Sequence, residues 1–132
     1  MDSEKIIEIL SENGVSDEEI ISSSENYVVI RFCYDFDSDE KSAARAYANE
    51  ESGVEEGSED WVSNWYASYL YDIARDNIQE TIEDICEKFD IEGEFRESDN
   101  ENCENTEYMR AYAIFCEDSC DVDFDEILSD YI

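Results

Sequence analysis

The sequence predicts a single α+β domain over residues 1–132, in which a small, mostly antiparallel sheet of about three strands packs against several helices. Three segments are rich in β-branched and aromatic residues, as strands are, and residues 61–89 repeat apolar side chains at helical spacing without Gly or Pro. Helices and strands do not alternate strictly, which favours α+β over a parallel α/β fold. The length suits one hydrophobic core.

The first elements are a helix and a strand. Residues 3–13 form an amphipathic helix that Gly14 ends, and a short segment at 17–22 adds a turn of helix. Residues 26–36, NYVVIRFCYDF, are the clearest strand in the chain. The apolar face of the first helix carries Ile6, Ile7 and Leu10.

The middle of the chain is helical on both sides of an acidic loop. Residues 38–49 form a short helix, and the loop at 50–60 holds two of the four glycines. Residues 61–89 form one long helix, or two with a break near Asp76 and Asn77. The inward side chains predicted for the short helix are Ala43, Ala44 and Tyr47. Those predicted for the long helix are Val62, Tyr66, Tyr69, Ile73, Ile78, Ile82, Ile85 and Phe89.

The last third predicts two strands and a closing helix. Residues 91–98 and 107–117 form the strands, and the polar loop 99–106 joins them. Residues 124–132 form the helix. Its predicted inward side chains are Phe124, Ile127, Leu128 and Tyr131.

Charge is the dominant property of this sequence. It has 39 Asp and Glu, eight Lys and Arg and no His, which gives a net charge of −31. A globule of this size is roughly 36 Å across, and duplex DNA of that length carries on the order of 20 phosphate charges. Such a surface repels nucleic acid and attracts basic grooves. Solubility or a high-salt habitat is the alternative explanation of the charge.

The acids concentrate in three segments. No Lys or Arg occurs from Ala46 to Ala74 or from Ala111 to Ile132, and the loop between the last two strands adds a third acidic run. We expect a partner to contact side chains from all three segments. They are Glu50, Glu51, Glu55, Glu56, Glu59, Asp60, Tyr71, Glu97, Asp99, Glu101, Glu104, Asp121, Asp123, Asp125 and Glu126.

Two stretches with alternating carboxylates, DFDSDE from Asp35 and DVDFDE from Asp121, invite a calcium interpretation. Both lack the Gly at position 6 and the Glu at position 12 that an EF-hand loop needs. The D-x-x-E spacing at Asp37 and Asp123 instead indicates helix N-caps, because a helix follows each stretch.

The inventory of reactive residues argues against an enzyme. There is no His for acid–base chemistry, no G-x-S-x-G and no phosphate-binding glycine loop. Five cysteines make an odd number, so we expect no fully paired disulfide framework, and Cys33, Cys86 and Cys116 lie in apolar runs as buried thiols do. We expect no metal and no cofactor.

Aromatic residues beside the acidic loop are the expected anchors of a contact. They are Trp61, Trp65, Tyr66, Tyr69 and Tyr71. Helical spacing predicts that Tyr66 and Tyr69 point into the core. Tyr71 then points away from that face and is the best candidate for an exposed contact.

A small, very acidic domain with abundant Tyr and no catalytic motif resembles the DNA-mimic inhibitors of phages and mobile elements, including anti-CRISPR and antirestriction proteins. The resemblance is one of composition and patterning over the whole chain, with no shared motif, so no residue roles carry over. It implies inhibition of a CRISPR effector or restriction nuclease through its basic nucleic-acid site. The N-terminal MDSEKIIEIL lacks a basic signal-peptide region, so we expect a cytoplasmic location in a bacterial host. An acidic immunity protein that neutralises a basic toxin is the alternative function.

Overall fold

A computed structural model describes residues 2–97, 107–117 and 123–129. The α+β class is confirmed, but the sheet has four strands rather than about three. The elements are α1 (Ser3–Glu12), β1 (Val15–Ser23), β2 (Tyr27–Asp35), α2 (Ser38–Glu51), a π-helix (Trp61–Tyr66), α3 (Ala67–Phe89), β3 (Ile91–Glu97), β4 (Tyr108–Glu117) and α4 (Phe124–Ser129). None of the helices within these ranges is long and apolar enough to cross a membrane.

The additional strand is β1, where the sequence predicted a turn of helix at 17–22. The strand pairs with β2, but its register shifts between Ser16 and Glu19 and again between Ile20 and Ser22. Asp17 has a left-handed φ of 54°. These irregularities break the alternation of apolar and polar residues by which a strand is recognised in a sequence.

The sheet is antiparallel throughout, with the order β1-β2-β4-β3. The central strands β2 and β4 pair without interruption from Tyr27 opposite Cys116 to Asp35 opposite Tyr108. Both are covered on their two faces, which explains their nearly continuous apolar sequences. Their side chains on the helical face form the main core: Val28, Ile30, Phe32, Tyr34, Met109, Ala111, Ala113 and Phe115.

The long helix has no break at Asp76 and Asn77, because α3 runs without interruption from Ala67 to Phe89. The π-helix precedes it directly. Ile78, Ile82 and Ile85 are buried as predicted. In its first half, however, the buried side chains are Ala67, Leu70 and Ala74, and the predicted Val62, Tyr66, Tyr69 and Ile73 are only partly buried, as is Phe89 at the end of the helix. Ala67, Leu70, Ala74 and Ile78 follow one another at intervals of three or four residues, whereas the predicted series jumps five residues from Ile73 to Ile78 and so loses the helical phase.

The long helix extends past the end of β3. Arg75 is bonded to Glu97, the last residue of β3, and the helix runs back along β3 to Phe89. The part from Arg75 to Phe89 is about 21 Å long and matches the seven residues of β3, about 23 Å. Residues 61–74 therefore lie beyond the end of β3, where α2 packs against them, and Leu70 and Ala74 remain part of the main core.

The second face of the sheet has a smaller core. Val29, Tyr112 and Ile114 are buried there, and Phe124 and Ile127 of α4 pack against them, as predicted for that helix. Leu128 and Tyr131 were also predicted to point inward. The side chain of Leu128 and all of Tyr131 lie outside the described residues. Three arginines also occupy this face: Arg31, Arg96 and Arg110.

Candidate protein-binding surface

The part of the molecule formed by α2 and the N-terminal end of the long helix is strongly acidic. We call residues 38–72 the acidic overhang; it comprises α2, the loop 52–60, the π-helix and the start of α3. Only Lys41 and Arg45 are basic in this range. Lys41 Nζ lies 2.7 Å from Glu107 Oε2, and Arg45 is hydrogen-bonded to Glu56. Neither cation offsets the remaining carboxylates of the overhang.

The start of α2 is fixed by the capping box that the sequence predicted. The Glu40 backbone N–H donates to Asp37 Oδ1 at 2.8 Å, and the Asp37 N–H donates to Glu40 Oε1 at 3.0 Å. These bonds satisfy amides that the first turn leaves without helical partners. At the other predicted cap, the Glu126 N–H donates to Asp123 Oδ1 at 3.2 Å.

A buried tyrosine links α2 to the sheet and to α3. The Tyr34 hydroxyl donates to Glu40 Oε2 at 2.8 Å and accepts from Asn77 Nδ2 at 2.7 Å. Burial, and next the hydrogen bond to Glu40, raise the pKa of Tyr34 to about 12. The three elements therefore hold a fixed geometry at the base of the overhang.

The acidic loop is attached to α2 at two points. Glu56 accepts hydrogen bonds from Arg45 and from Asn49 Nδ2, and these bonds lower the pKa of Glu56, with Arg45 as the larger cause. Trp61 is buried, and its indole Nε1 donates to Asn49 Oδ1 at 3.0 Å. Gly53 and Gly57 both have positive φ, which L side chains rarely adopt. The loop thus has a defined conformation.

Several predicted partner-binding side chains are exposed on this ordered surface. They are Glu50, Glu51, Glu55, Glu59 and Asp60, and Glu56 is exposed although bonded to Arg45. Asp60 Oδ1 accepts a hydrogen bond from Asn64. A shallow depression of about 540 Å³ lies between Glu59, Asp60 and Asn64. The first predicted acidic segment is therefore exposed along the end of α2 and the loop that follows it.

The other predicted acids are arranged differently. Glu97 is bound by Arg75 and Asp125 by Arg96, so each of these two carboxylates has a cation beside it. Asp123 and Glu126 belong to the start of α4. The remaining predicted acids, Asp99, Glu101, Glu104 and Asp121, lie outside the described residues.

The prediction that Tyr71 is the exposed aromatic is wrong. Tyr71 is partly buried, packs against the main core and stacks on Phe36 with ring centroids 5.9 Å apart. It follows the buried Leu70 directly and so lies on the flank of the inner face rather than opposite it. Tyr66 and Tyr69 also pack against the core, as predicted.

The exposed aromatic is Tyr47, which the sequence placed inward on α2. Its side chain is 39% exposed, whereas Ala44 and Ala48 form the buried face of that helix. Ala43, also predicted inward, is exposed. The two alanines permit close contact with the long helix, and the bulky Tyr47 lies at the margin. Among the described residues only Ile20, Tyr47 and Val54 are exposed large hydrophobic side chains, and two of them belong to the acidic overhang.

A row of carboxylates on α3, overlooked in the sequence, continues the acidic overhang. The exposed acids on this helix are Asp72, Asp76, Glu80, Glu83, Asp84 and Glu87. Four of them follow one another at intervals of four residues, which places them on one side of the helix. That spacing was visible in the sequence and would have identified the row.

The described residues contain three cysteines and no cluster of side chains that could hold a metal ion. No group of three or more Cys, Asp or Glu within these residues is arranged to hold a metal ion. Cys33 and Cys116 are buried and Cys86 is half-buried, with its pKa raised first by burial. Cys103 and Cys120 lie outside the described residues.

Comparison with protein-family models, with curated proteins and with solved structures gives no match to this chain. Functional inference therefore depends on the surface itself: an ordered acidic region with exposed apolar side chains within it.

Proposed function

We propose that this protein is a nucleic-acid mimic that binds the basic site of a DNA- or RNA-binding defence complex, a CRISPR effector or restriction nuclease, and inhibits it in the bacterial cytoplasm. The observation that carries the proposal is the acidic overhang, whose only two cations are each bound to a carboxylate. Carboxylates on a fixed scaffold attract a basic groove and take the place of phosphates in it.

The charge spacing along α3 supports this proposal. From Asp72 to Glu87 the helix rises about 22 Å and exposes six carboxylates, which is about one per 4 Å. One strand of duplex DNA carries a phosphate about every 3.4 Å. Arg75 offsets part of this charge, because it is bonded to Asp72 and Glu97. The acidic loop provides a second group of carboxylates, which residues 61–71 separate from the row on α3 because they contain no acid.

The same surface contains apolar side chains that a purely solubilising surface does not need. Tyr47 and Val54 are exposed among the acids. Charges at the rim of an interface contribute mainly to association rate and specificity, and affinity comes largely from buried aromatic anchors. A docking surface therefore explains the combination better than solubility alone.

The test is inhibition of purified CRISPR effectors and restriction nucleases by two charge-reversed variants. The first variant is Glu51→Lys, Glu55→Lys and Glu59→Lys, three exposed acids of the acidic overhang. Its matched control is Glu4→Lys, Glu8→Lys and Glu12→Lys on α1, with the same change in net charge. Glu56 is left intact because it holds Arg45 and Asn49.

We expect the first variant to lose inhibition by at least about tenfold and the control to lose much less, because a local contact depends on which charges are reversed. Inhibition by the unaltered protein should weaken steeply between about 50 and 200 mM salt. The target's nucleic acid should be displaced from the complex. Equal losses in both variants, or a target that binds the protein and its nucleic acid together, would contradict the mimic and favour a toxin-neutralising protein.

A further inference from the structure

A group of three aromatic rings lies on the acidic overhang, between α2 and the long helix; one ring is exposed and two are partly buried. Tyr47 stacks on Tyr69 with ring centroids 4.9 Å apart and an interplanar angle of 29°. The Trp65 ring lies 6.1 Å from Tyr47 at 42°. We call these three side chains the aromatic platform. Because they come from α2, the π-helix and α3, the platform depends on the packing of all three elements.

The platform is held rigidly from below. Ala44 and Ala48, which flank Tyr47 on α2, are fully buried, and Tyr69 packs against the main core. Trp61, buried next to this region, stacks on Tyr66 with centroids 5.0 Å apart. Rings fixed in this way lose little side-chain entropy when a ligand covers them.

The electrostatic surroundings of the platform favour a cation. Glu50 and Glu51 follow Tyr47 by three and four residues, which places both carboxylates beside the ring on the same side of α2. Within the described part of the chain, no ion pair includes Glu50 or Glu51. The faces of Tyr and Trp rings also carry partial negative charge.

Resting on the proposed function, we infer that the aromatic platform binds an arginine side chain of the basic target protein. A guanidinium stacks flat on an aromatic face and at the same time donates two parallel hydrogen bonds to a carboxylate, here that of Glu50 or Glu51. A lysine ammonium is a more strongly hydrated point charge and gains less from the ring face. A second copy of this chain is disfavoured at the same surface because its net charge is also −31.

The inference is tested with hexa-arginine and hexa-lysine peptides that carry a fluorescent label. Binding anisotropy gives the ratio of the two affinities for the unaltered protein and for three variants. Tyr47→Ala removes the centre of the platform, Tyr47→Phe retains its ring, and Ile20→Ala removes a similarly exposed apolar side chain on β1. Circular dichroism verifies that each variant is folded.

We expect the unaltered protein to bind hexa-arginine about two- to fivefold more tightly than hexa-lysine, as a cation–π contact at an exposed site provides. Tyr47→Ala should abolish this ratio, whereas Tyr47→Phe and Ile20→Ala should retain it. Hexa-arginine should also change the fluorescence of Trp65, and Trp65→Phe should remove that change. The same ratio in Tyr47→Ala as in the unaltered protein, or no preference for arginine, overturns the inference.

The outcome separates this inference from the proposed function. If both peptides bind equally and a nuclease is still inhibited, the mimic stands and the aromatic platform has no role in recognising arginine. If arginine preference depends on Tyr47 but no nucleic-acid-binding protein is inhibited, the platform stands and the mimic fails. If neither peptide binds and nothing is inhibited, both fail.

Discussion

Removal of the Tyr34 hydroxyl should alter stability in a way that depends on pH. The pKa of this hydroxyl rises from 10.0 to about 12 on folding, mainly because of burial. Folding thus favours the neutral form, and the stability linked to it is fully present below pH 10 and lost as pH rises through 12. Two pH units correspond to about 3 kcal/mol, of which about half is lost by pH 11.

The Tyr34→Phe variant lacks the hydroxyl and so does not lose this stability at alkaline pH. At pH 8, however, it is less stable than the unaltered protein. Asn77 Nδ2 loses its acceptor and Glu40 Oε2 its donor, which costs about 1 to 2 kcal/mol at pH 8. The loss should be near the lower value, since a depression of about 270 Å³ beside Asn77 admits water to these groups. The stability curves of the two proteins should therefore cross between about pH 10.5 and 12.

The assay is urea unfolding followed by tryptophan fluorescence at pH 8, 10, 11 and 12. The difference between the variant and the unaltered protein is the relevant quantity, because general alkaline destabilisation cancels in it. Tyr27→Phe, on the opposite face of the sheet, is the control and should retain the alkaline loss due to Tyr34. A difference between Tyr34→Phe and the unaltered protein that stays constant from pH 8 to 12 would refute the reasoning.

Two further substitutions test the packing and the helix cap. In Gly93→Ala the new Cβ lies 2.8 Å from Phe115 Cδ1 and 3.1 Å from Cys86 Sγ, so we expect a loss of about 1 to 3 kcal/mol in urea unfolding. Combining it with Phe115→Leu should cost less than the sum of the two changes; strict additivity would contradict the steric explanation. Asp37→Ala should destabilise by about 1 kcal/mol by removing the capping box with Glu40, and Asp37→Asn should cost less because it keeps an acceptor. Equal losses in the two Asp37 variants would show that the cap contributes little.

The sequence predicted those helices and strands that have a regular backbone, because burial then produces a regular pattern of apolar residues along the chain. The strands β2 and β4 are central and apolar on both faces, and their near-continuous apolar runs identify them without knowledge of the fold. The strand β1 was missed because it is an edge strand with acids at 17–19 and two register shifts. Local irregularity of this kind leaves no periodic signal.

The sequence showed that the candidate site is acidic, but it did not show which acidic side chains are exposed and unpaired with a cation. The run without cations at 46–74 is visible in the sequence. In the structure it comprises the end of α2, the loop 52–60, the π-helix and the start of α3. The ion pairs of Glu97 with Arg75 and of Asp125 with Arg96 join residues 22 and 29 positions apart, so no local pattern shows them. Tyr71 lies seven residues before the buried Ile78 in a regular α-helix and hence on the same side of it; the prediction measured helical spacing from Tyr66 and Tyr69 instead and so assigned Tyr71 to the wrong side.

The arginines on the second face of the sheet make the charge distribution of the molecule asymmetric. Arg31 pairs with Glu19, Arg96 with Glu94 and Asp125, and Arg110 with Asp17, so acids are partly balanced on the face opposite α1, α2 and α3. Within residues 2–97, 107–117 and 123–129, the centre of negative charge is thereby displaced toward the layer of α1, α2 and α3. The electric field of a positively charged partner exerts a torque on such a molecule. This torque turns α1, α2 and α3 toward the partner before the two proteins touch.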